Sequence, residues 1–361
     1  MAEGGSDVWA GRRIFVTGHT GFKGSWLTLW LQSLGAEVHG FALPPPTDPS
    51  LFEAARVEDG MASSTIADVR DLDAVEAAMR ACRPSVVFHL AAQPLVRRSY
   101  RDPVETYATN VLGTVDVLEA ARRLGDVAAI VNVTTDKCYD NREWLWGYRE
   151  IDPLGGHDPY SSSKACSELV TAAYRDSFLR AGPTALASAR AGNVIGGGDW
   201  AADRLIPDLL AAFAAGRSVA IRNPASLRPW QHVLEPLSGY LRLAEKLLEE
   251  GSAWAEAWNF GPRDDDARPV EWIVRRMVEL WGDGASWHID GDAQPHEAGL
   301  LKLDVSKAAT RLGWHPRWSL DEALEAVVVW HRAFRAGGDV RAVCLDQIRR
   351  FTATPPSRTG R

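Results

Sequence analysis

The feature that most restricts the fold is a junction near the N-terminus. A short apolar run, Arg13-Ile14-Phe15-Val16-Thr17, ends on Gly18-His19-Thr20-Gly21-Phe22-Lys23-Gly24, and helical spacing follows over Ser25–Leu34. An apolar run closed by glycines reads as a buried strand; Trp26, Leu27, Leu29, Trp30 and Leu34 recur at helical spacing, and Gly35 closes that helix. Glycines spaced G-x-x-G-x-x-G between strand and helix let the backbone come close to a pyrophosphate, which then faces the positive end of the helix. An ordinary tight turn uses the same residues, but the position in the first strand–helix unit favours dinucleotide binding. The candidate cofactor contacts of the loop are Gly18, Thr20, Gly21, Phe22, Lys23 and Gly24. His19 and Lys23 are bulkier than the turn requires, and each either meets phosphate or faces solvent.

The alternation continues. Strands are expected at Glu37–Leu43, Ser85–Leu90, Ala128–Val133 and Thr184–Arg190, and helices at Asp71–Ala81, Val104–Leu124 and Tyr160–Ala181. Strands separated by helices predict an α/β fold with a doubly wound, parallel, Rossmann-type sheet. Past Ala191 the pattern loosens into GNVIGGGDW, RNPASLRPWQH and PRDDDARP. The division expected is a dinucleotide-binding domain over 11–190, with 233–262 returning to it, a smaller substrate-binding region over 191–345, and loose tails at 1–10 and 351–361. Of 361 residues 46% are hydrophobic, which suits a core-forming chain, and a net charge of −7 without basic runs speaks against nucleic acid. Cys82, Cys138, Cys166 and Cys344 lack metal spacing and read as free thiols in a reducing compartment. No apolar run reaches the ~18 residues that span a bilayer, and MAEGGSDVWAGRR has no leader-like apolar stretch, so a cytoplasmic enzyme without a metal is expected.

Several positions bear on the cofactor and the reaction. The second strand runs into Ala42-Leu43-Pro44, where an acid would favour NAD and an arginine NADP, so the residues leave that choice open. Asp48 is either a substitute or a solvated loop residue, and Asp68 is placed to meet the adenine edge. Tyr160 and Lys164, four apart at a helix start, share one face. A lysine beside the phenol, with a positive nicotinamide ring, would lower the tyrosine from its usual ~10 and let it accept a hydroxyl proton while hydride leaves the same carbon. Thr135, at the end of the Val133-Thr134-Thr135-Asp136-Lys137 strand, offers a hydroxyl to the same oxygen.

The motifs VTGHTGFKGSWL, AAQPLVRRSY, TTDKCYDNREWLWGYRE, DPYSSSKACSELV, AGNVIGGGDW and RPWQHVLEPLSGYL resemble the extended short-chain dehydrogenase/reductases of the nucleotide-sugar branch, and within it the CDP-glucose 4,6-dehydratase group. The resemblance implies that bound NAD takes hydride from C4 of CDP-glucose, that water leaves across C5–C6, and that hydride returns to C6. It implies Asp136 as the acid at the C6 hydroxyl and Lys137 as the base at C5, where related dehydratases often carry Asp-Glu; Lys137 otherwise pairs with Asp136 or a substrate phosphate. It adds Val69, Ala91 and Ala92 on the cofactor side. On the substrate side it adds Gln93 and Asn193. Arg204, Arg228 and His232 bring positive or donor groups to the same region; each arginine either forks onto a diphosphate or forms a surface ion pair. Trp200 and Trp230 stack on the base or pack in the core, and Asn110 fixes backbone or water near Lys164. A homodimer through helices 104–124 and 160–181 is implied as well. A nucleotide-sugar 4-epimerase would share Tyr160 and Lys164 but needs no acid and base at C5 and C6. A non-catalytic NAD-binding regulator would need neither pair.

Overall fold

The computed structural model describes residues 8–221, 223–282, 284–290 and 300–356. Seven strands form one sheet: β1 Arg13–Thr17, β2 Glu37–Ala42, β3 Ser63–Ile66, β4 Val86–His89, β5 Ala129–Val133, β6 Ala185–Ala191 and β7 Ala257–Phe260. Their order is β7-β6-β5-β4-β1-β2-β3, and every neighbouring pair is parallel. Strands β4, β5 and β6 are buried along their whole length, as a parallel sheet covered on both faces requires. Helix α1 (Phe22–Ser33) packs on one face within a core of Trp26, Trp30, Val131 and Trp258. Helices α2 (Leu72–Cys82) and α3 (Gly113–Leu124) cover the other through Val75, Met79, Val117 and Leu118.

The chain direction across the sheet reverses between β1 and β4, which opens a crevice above their C-terminal ends. Thr17 closes that end by accepting the Leu90 and Ala91 amides on its hydroxyl, both at 3.1 Å. The expected helix 104–124 is Pro103–Tyr107, a π-helical turn over Ala108–Leu112, and then α3. The expected helix 160–181 is α4 (Pro159–Tyr174) followed by a second π-helical turn, Arg175–Leu179. Such turns concentrate at functional sites, and the first contains buried Asn110.

After β6 the chain leaves the sheet and comes back through α5 (Leu234–Glu250) to add β7 beside β6. The remaining region has a core of its own, with Ile206, Leu209, Phe213, Ile273, Met277 and Leu324. The tails are shorter than the sequence suggested. Trp9 is 1% exposed and donates its indole N–H to Glu245 at 3.0 Å, and Phe351 is wholly buried edge-on to Trp30. Burial of large rings against the sheet's helices orders both ends; residues 1–7 and 357–361 lie outside the described residues.

Candidate active site

The glycine loop is built for close approach. A Cβ on Gly18 would sit 2.8 Å from the Ala91 amide nitrogen, and one on Gly24 would sit 2.1 Å from the Gly18 carbonyl oxygen. Gly21 caps α1 without a side-chain hydrogen bond, and no acid lies in the first turn, so its amides face the crevice as an anion site. This cradle fits a dinucleotide pyrophosphate. Half-buried Lys23 reaches Tyr240 at 3.4 Å, and burial, with Arg204 and Lys164 nearby, lowers its ammonium to about 7. His19 is turned away from the crevice, with Nε2 on Ser64 at 2.9 Å and its ring edge-on to Phe52. Thr20 donates to the Leu43 carbonyl at 2.8 Å. Asp68 accepts a two-pronged contact from Arg70, whose hydrogen bonds hold its carboxyl below the usual range, and Val69 packs under Gly113. Ala91 and Ala92 are half-buried at the crevice.

Helix α4 starts where Asp158 caps it, accepting the Ser161 amide at 2.9 Å, with Pro159 as its first residue. Tyr160 and Lys164 then lie on its buried side, and Lys164 Nζ donates to the Val133 carbonyl at 3.3 Å. Lys164 therefore sits at the end of β5, where Thr135, Asp136 and Lys137 follow. Thr135 donates to Asp136 at 3.0 Å and caps the short 3-10 turn Asp136–Cys138. Asp136 is buried against Gly192, where a Cβ would stand 2.0 Å from its Oδ2. Among the described residues Lys137 makes no side-chain hydrogen bond or ion pair, so the pairing with Asp136 that the sequence left open does not form.

The protein alone does not lower Tyr160. Burial raises its phenol to about 12; the Thr135 hydroxyl and the Arg204 charge pull it back, and Asp136 adds to the rise. Burial lowers Lys164 to about 8, with Glu168 and Cys138 opposing. Desolvation of a phenolate outweighs the charges the chain itself supplies, so the expected depression calls on the positive nicotinamide ring as well.

Below the crevice one chain of polar groups has a single consistent arrangement of its hydrogens. Thr17 already accepts two amides, so its hydrogen goes to His89 Nδ1 at 2.7 Å, and His89 Nε2–H donates to Thr114 at 3.2 Å. Thr114 donates to the Asn110 carbonyl at 2.7 Å, and Ser167 in turn donates to Thr114 at 3.0 Å. Asn110 holds the Gln93 amide and Ser163, as the sequence placed it, fixing backbone beside α4.

On the substrate side the structure corrects two residues. Gln93 is turned inward, donating to Leu95 and Thr106 and accepting the Leu95 amide at 2.6 Å, because these neighbours satisfy both ends of its buried amide. His232 is sealed between Trp26 and Trp318, with ring centroids at 5.8 and 4.9 Å, and burial lowers it to about 3. Neither presents its side chain to the crevice. Asn193 holds a left-handed φ of 37° and accepts the Gln231 amide on its carbonyl at 3.1 Å. Arg204 pairs with Asp199 at 2.9 Å close enough to act on Tyr160 and Lys23, and half-buried Arg228 lies on a ribbon opposite Arg268. Trp200 packs with Trp330 and Phe334, a core role, and Trp230 lies against the Ile206–Leu324 core.

Sequence reasoning missed Glu168 and Arg190, a fully buried ion pair at 2.8 Å between α4 and β6. Both left a trace. Glu168 falls four residues after Lys164, and Arg190 is a charge inside the otherwise small and apolar strand ALASARA.

A parallel sheet of this order, a glycine cradle at its switch point and a Tyr–Lys pair beside it define a dinucleotide-dependent enzyme of the short-chain dehydrogenase type. The chain belongs to the GDP-mannose 4,6 dehydratase family, whose model matches residues 15–327. It is 59% identical over 339 residues to the CDP-glucose 4,6-dehydratase of Salmonella typhimurium, covering 92% of this chain and 94% of that one. A dTDP-glucose 4,6-dehydratase of Streptomyces venezuelae, solved with NAD bound, superposes with a TM-score of 0.76 at 25% identity, covering 91% of this chain and 99% of the other. A UDP-glucose 4-epimerase of Thermotoga maritima shares the fold with a TM-score of 0.76 at 24% identity over 90% and 99% of the chains.

Proposed function

We propose that the chain is an NAD-dependent CDP-glucose 4,6-dehydratase, forming CDP-4-dehydro-6-deoxy-D-glucose in the cytoplasm. The observation that carries this is the meeting of two pairs, Tyr160–Lys164 on α4 and Asp136–Lys137 at the end of β5, in a chain 59% identical to an enzyme of that name. When bound, NAD supplies the acceptor for the C4 hydride and returns it to C6 after water has left. Tyr160 accepts the O4 proton, with Thr135 and Lys164 beside it. The C4 ketone acidifies C5, from which Lys137 takes a proton. Asp136 gives a proton to the departing C6 hydroxyl, and a proton returns to C5 as the hydride reaches C6. Two protons are taken and two are given, so the net loss is one water. Arg204, Arg228 and Asn193 are the groups offered to the diphosphate and sugar. A 4-epimerase would leave Asp136 and Lys137 without work.

The outer sides of the helical stretches 103–124 and 159–179 support a homodimer. Val104, Tyr107 and Leu112 are exposed on one, and Leu169 and Phe178 on the other. Light scattering should give twice the chain mass, and a monomer would refute the pairing. The function is tested with CDP-glucose carrying deuterium at C4, which should emerge at C6 of a 4-keto-6-deoxy product. Loss of the label to solvent would sink the internal return. A Lys137→Ala variant that exchanged the C5 proton at the normal rate would remove that residue as base.

A further inference from the structure

The turn that carries Asp136 and Lys137 has only three residues, and a turn of that length has little stiffness of its own. Residues on either side of it are gripped by one buried ion pair. Before it, Thr134 donates to Glu168 Oε1 at 2.5 Å; after it, Tyr139 accepts from Arg190 Nη1 at 2.8 Å. Glu168 and Arg190 join each other at 2.8 Å, and Ser188 donates to the same carboxylate oxygen at 2.7 Å. Arg190 also donates to the Glu150 carbonyl at 3.2 Å, and Tyr139 passes its own hydrogen to Asn259 at 2.8 Å. Glu168 lies one helical turn beyond Lys164 on α4, and Arg190 lies two residues before Gly192, which backs Asp136.

Thr134, Glu168, Ser188 and Arg190 are all buried. A buried ion pair adds little stability of its own over apolar packing, but breaking it is costly, so its value is in fixing one arrangement. Three segments meet at this one: the helix with the C4 oxidation pair, the turn with the elimination pair, and the strand end that leads to Asn193.

We propose that Glu168 and Arg190 are positioning residues that hold the Asp136–Lys137 turn in register with Tyr160 and Lys164, so that elimination follows C4 oxidation without delay. The inference rests on the dehydratase reading and is tested on the full enzyme. Thr134→Val and Tyr139→Phe, combined, loosen both sides of the turn while leaving the ion pair and every reacting group in place. The expected result is a kcat at least about ten-fold lower with KM for CDP-glucose within about two-fold, since misplacing a reacting group slows its step with little effect on binding. Enzyme-bound NADH should then accumulate at 340 nm after mixing with CDP-glucose, and solvent deuterium should enter C5 more slowly. Should the double variant fail to fold, Tyr139→Phe alone keeps the ring stacked on Tyr148 and should show a smaller change in the same direction. Wild-type turnover, or slowing of C4 oxidation in equal measure with no absorbing intermediate, would overturn the proposal. The unaltered enzyme run alongside separates the two ideas: if it makes no product from CDP-glucose the dehydratase reading fails, whereas the clamp fails on the variant-to-parent comparison.

Discussion

The two reacting pairs sit side by side but are held by different physics. Tyr160 and Lys164 are placed by a helix, whose cap at Asp158 and periodic hydrogen bonds fix both side chains from within sixteen residues. Asp136 and Lys137 sit on a turn that borrows its position from Glu168 and Arg190, 32 and 54 positions beyond Asp136. The first pair serves oxidation at C4, which many sugar-nucleotide enzymes share; the second serves the elimination. The step that distinguishes the reaction thus depends on long-range packing, while the shared step depends on local structure.

This contrast can be broken in order of expected effect. Tyr160→Phe should lower kcat by about 10²–10⁴-fold, because it removes the proton acceptor itself, with no NADH transient in stopped-flow absorbance. Gly192→Ala should cost about ten- to hundred-fold in turnover by driving a methyl onto the Asp136 carboxylate, where the clearance is 2.0 Å, yet C4 oxidation should survive. If both steps fell together, the independence of the pairs would be lost.

Glu168→Gln tests the link between them through pH. Burial already lowers Lys164 to about 8, and the Glu168 charge is the larger of the two effects that oppose this fall. Removing that charge leaves Arg190 nearby, so the lysine loses its proton at lower pH. Activity needs the protonated form, so the alkaline limb of the kcat profile should move to lower pH; a limb that stayed or rose would exclude this coupling. The smallest effect on chemistry is expected from His232→Ala. It should reduce unfolding free energy by about 3 kcal/mol in urea titrations through loss of packing between Trp26 and Trp318, while KM stays unchanged.

The same contrast explains what the sequence disclosed. Strand β1 has the bounds of the run RIFVT, and the cradle follows from glycine spacing, because both are local. Lys164 and Tyr160 were legible for the same reason. Gln93 and His232 were misjudged because a polar residue in a motif was read as facing ligand. Which way each faces depends on partners far along the chain: Trp318 lies 86 residues from His232. The rise that burial gives the phenol of Tyr160 is a property of the packed site, which no spacing encodes.

The ordered hydroxyls beneath the crevice have a further consequence. From Thr17 through His89 and Thr114 to Ser167, each hydrogen is committed to one acceptor, and burial keeps His89 neutral at about 3. Turning any one of these hydroxyls would leave a buried donor or acceptor unpaired, so the array resists rearrangement as a whole. It acts as mortar, joining β1, β4, α3 and α4 into one rigid floor beneath the crevice.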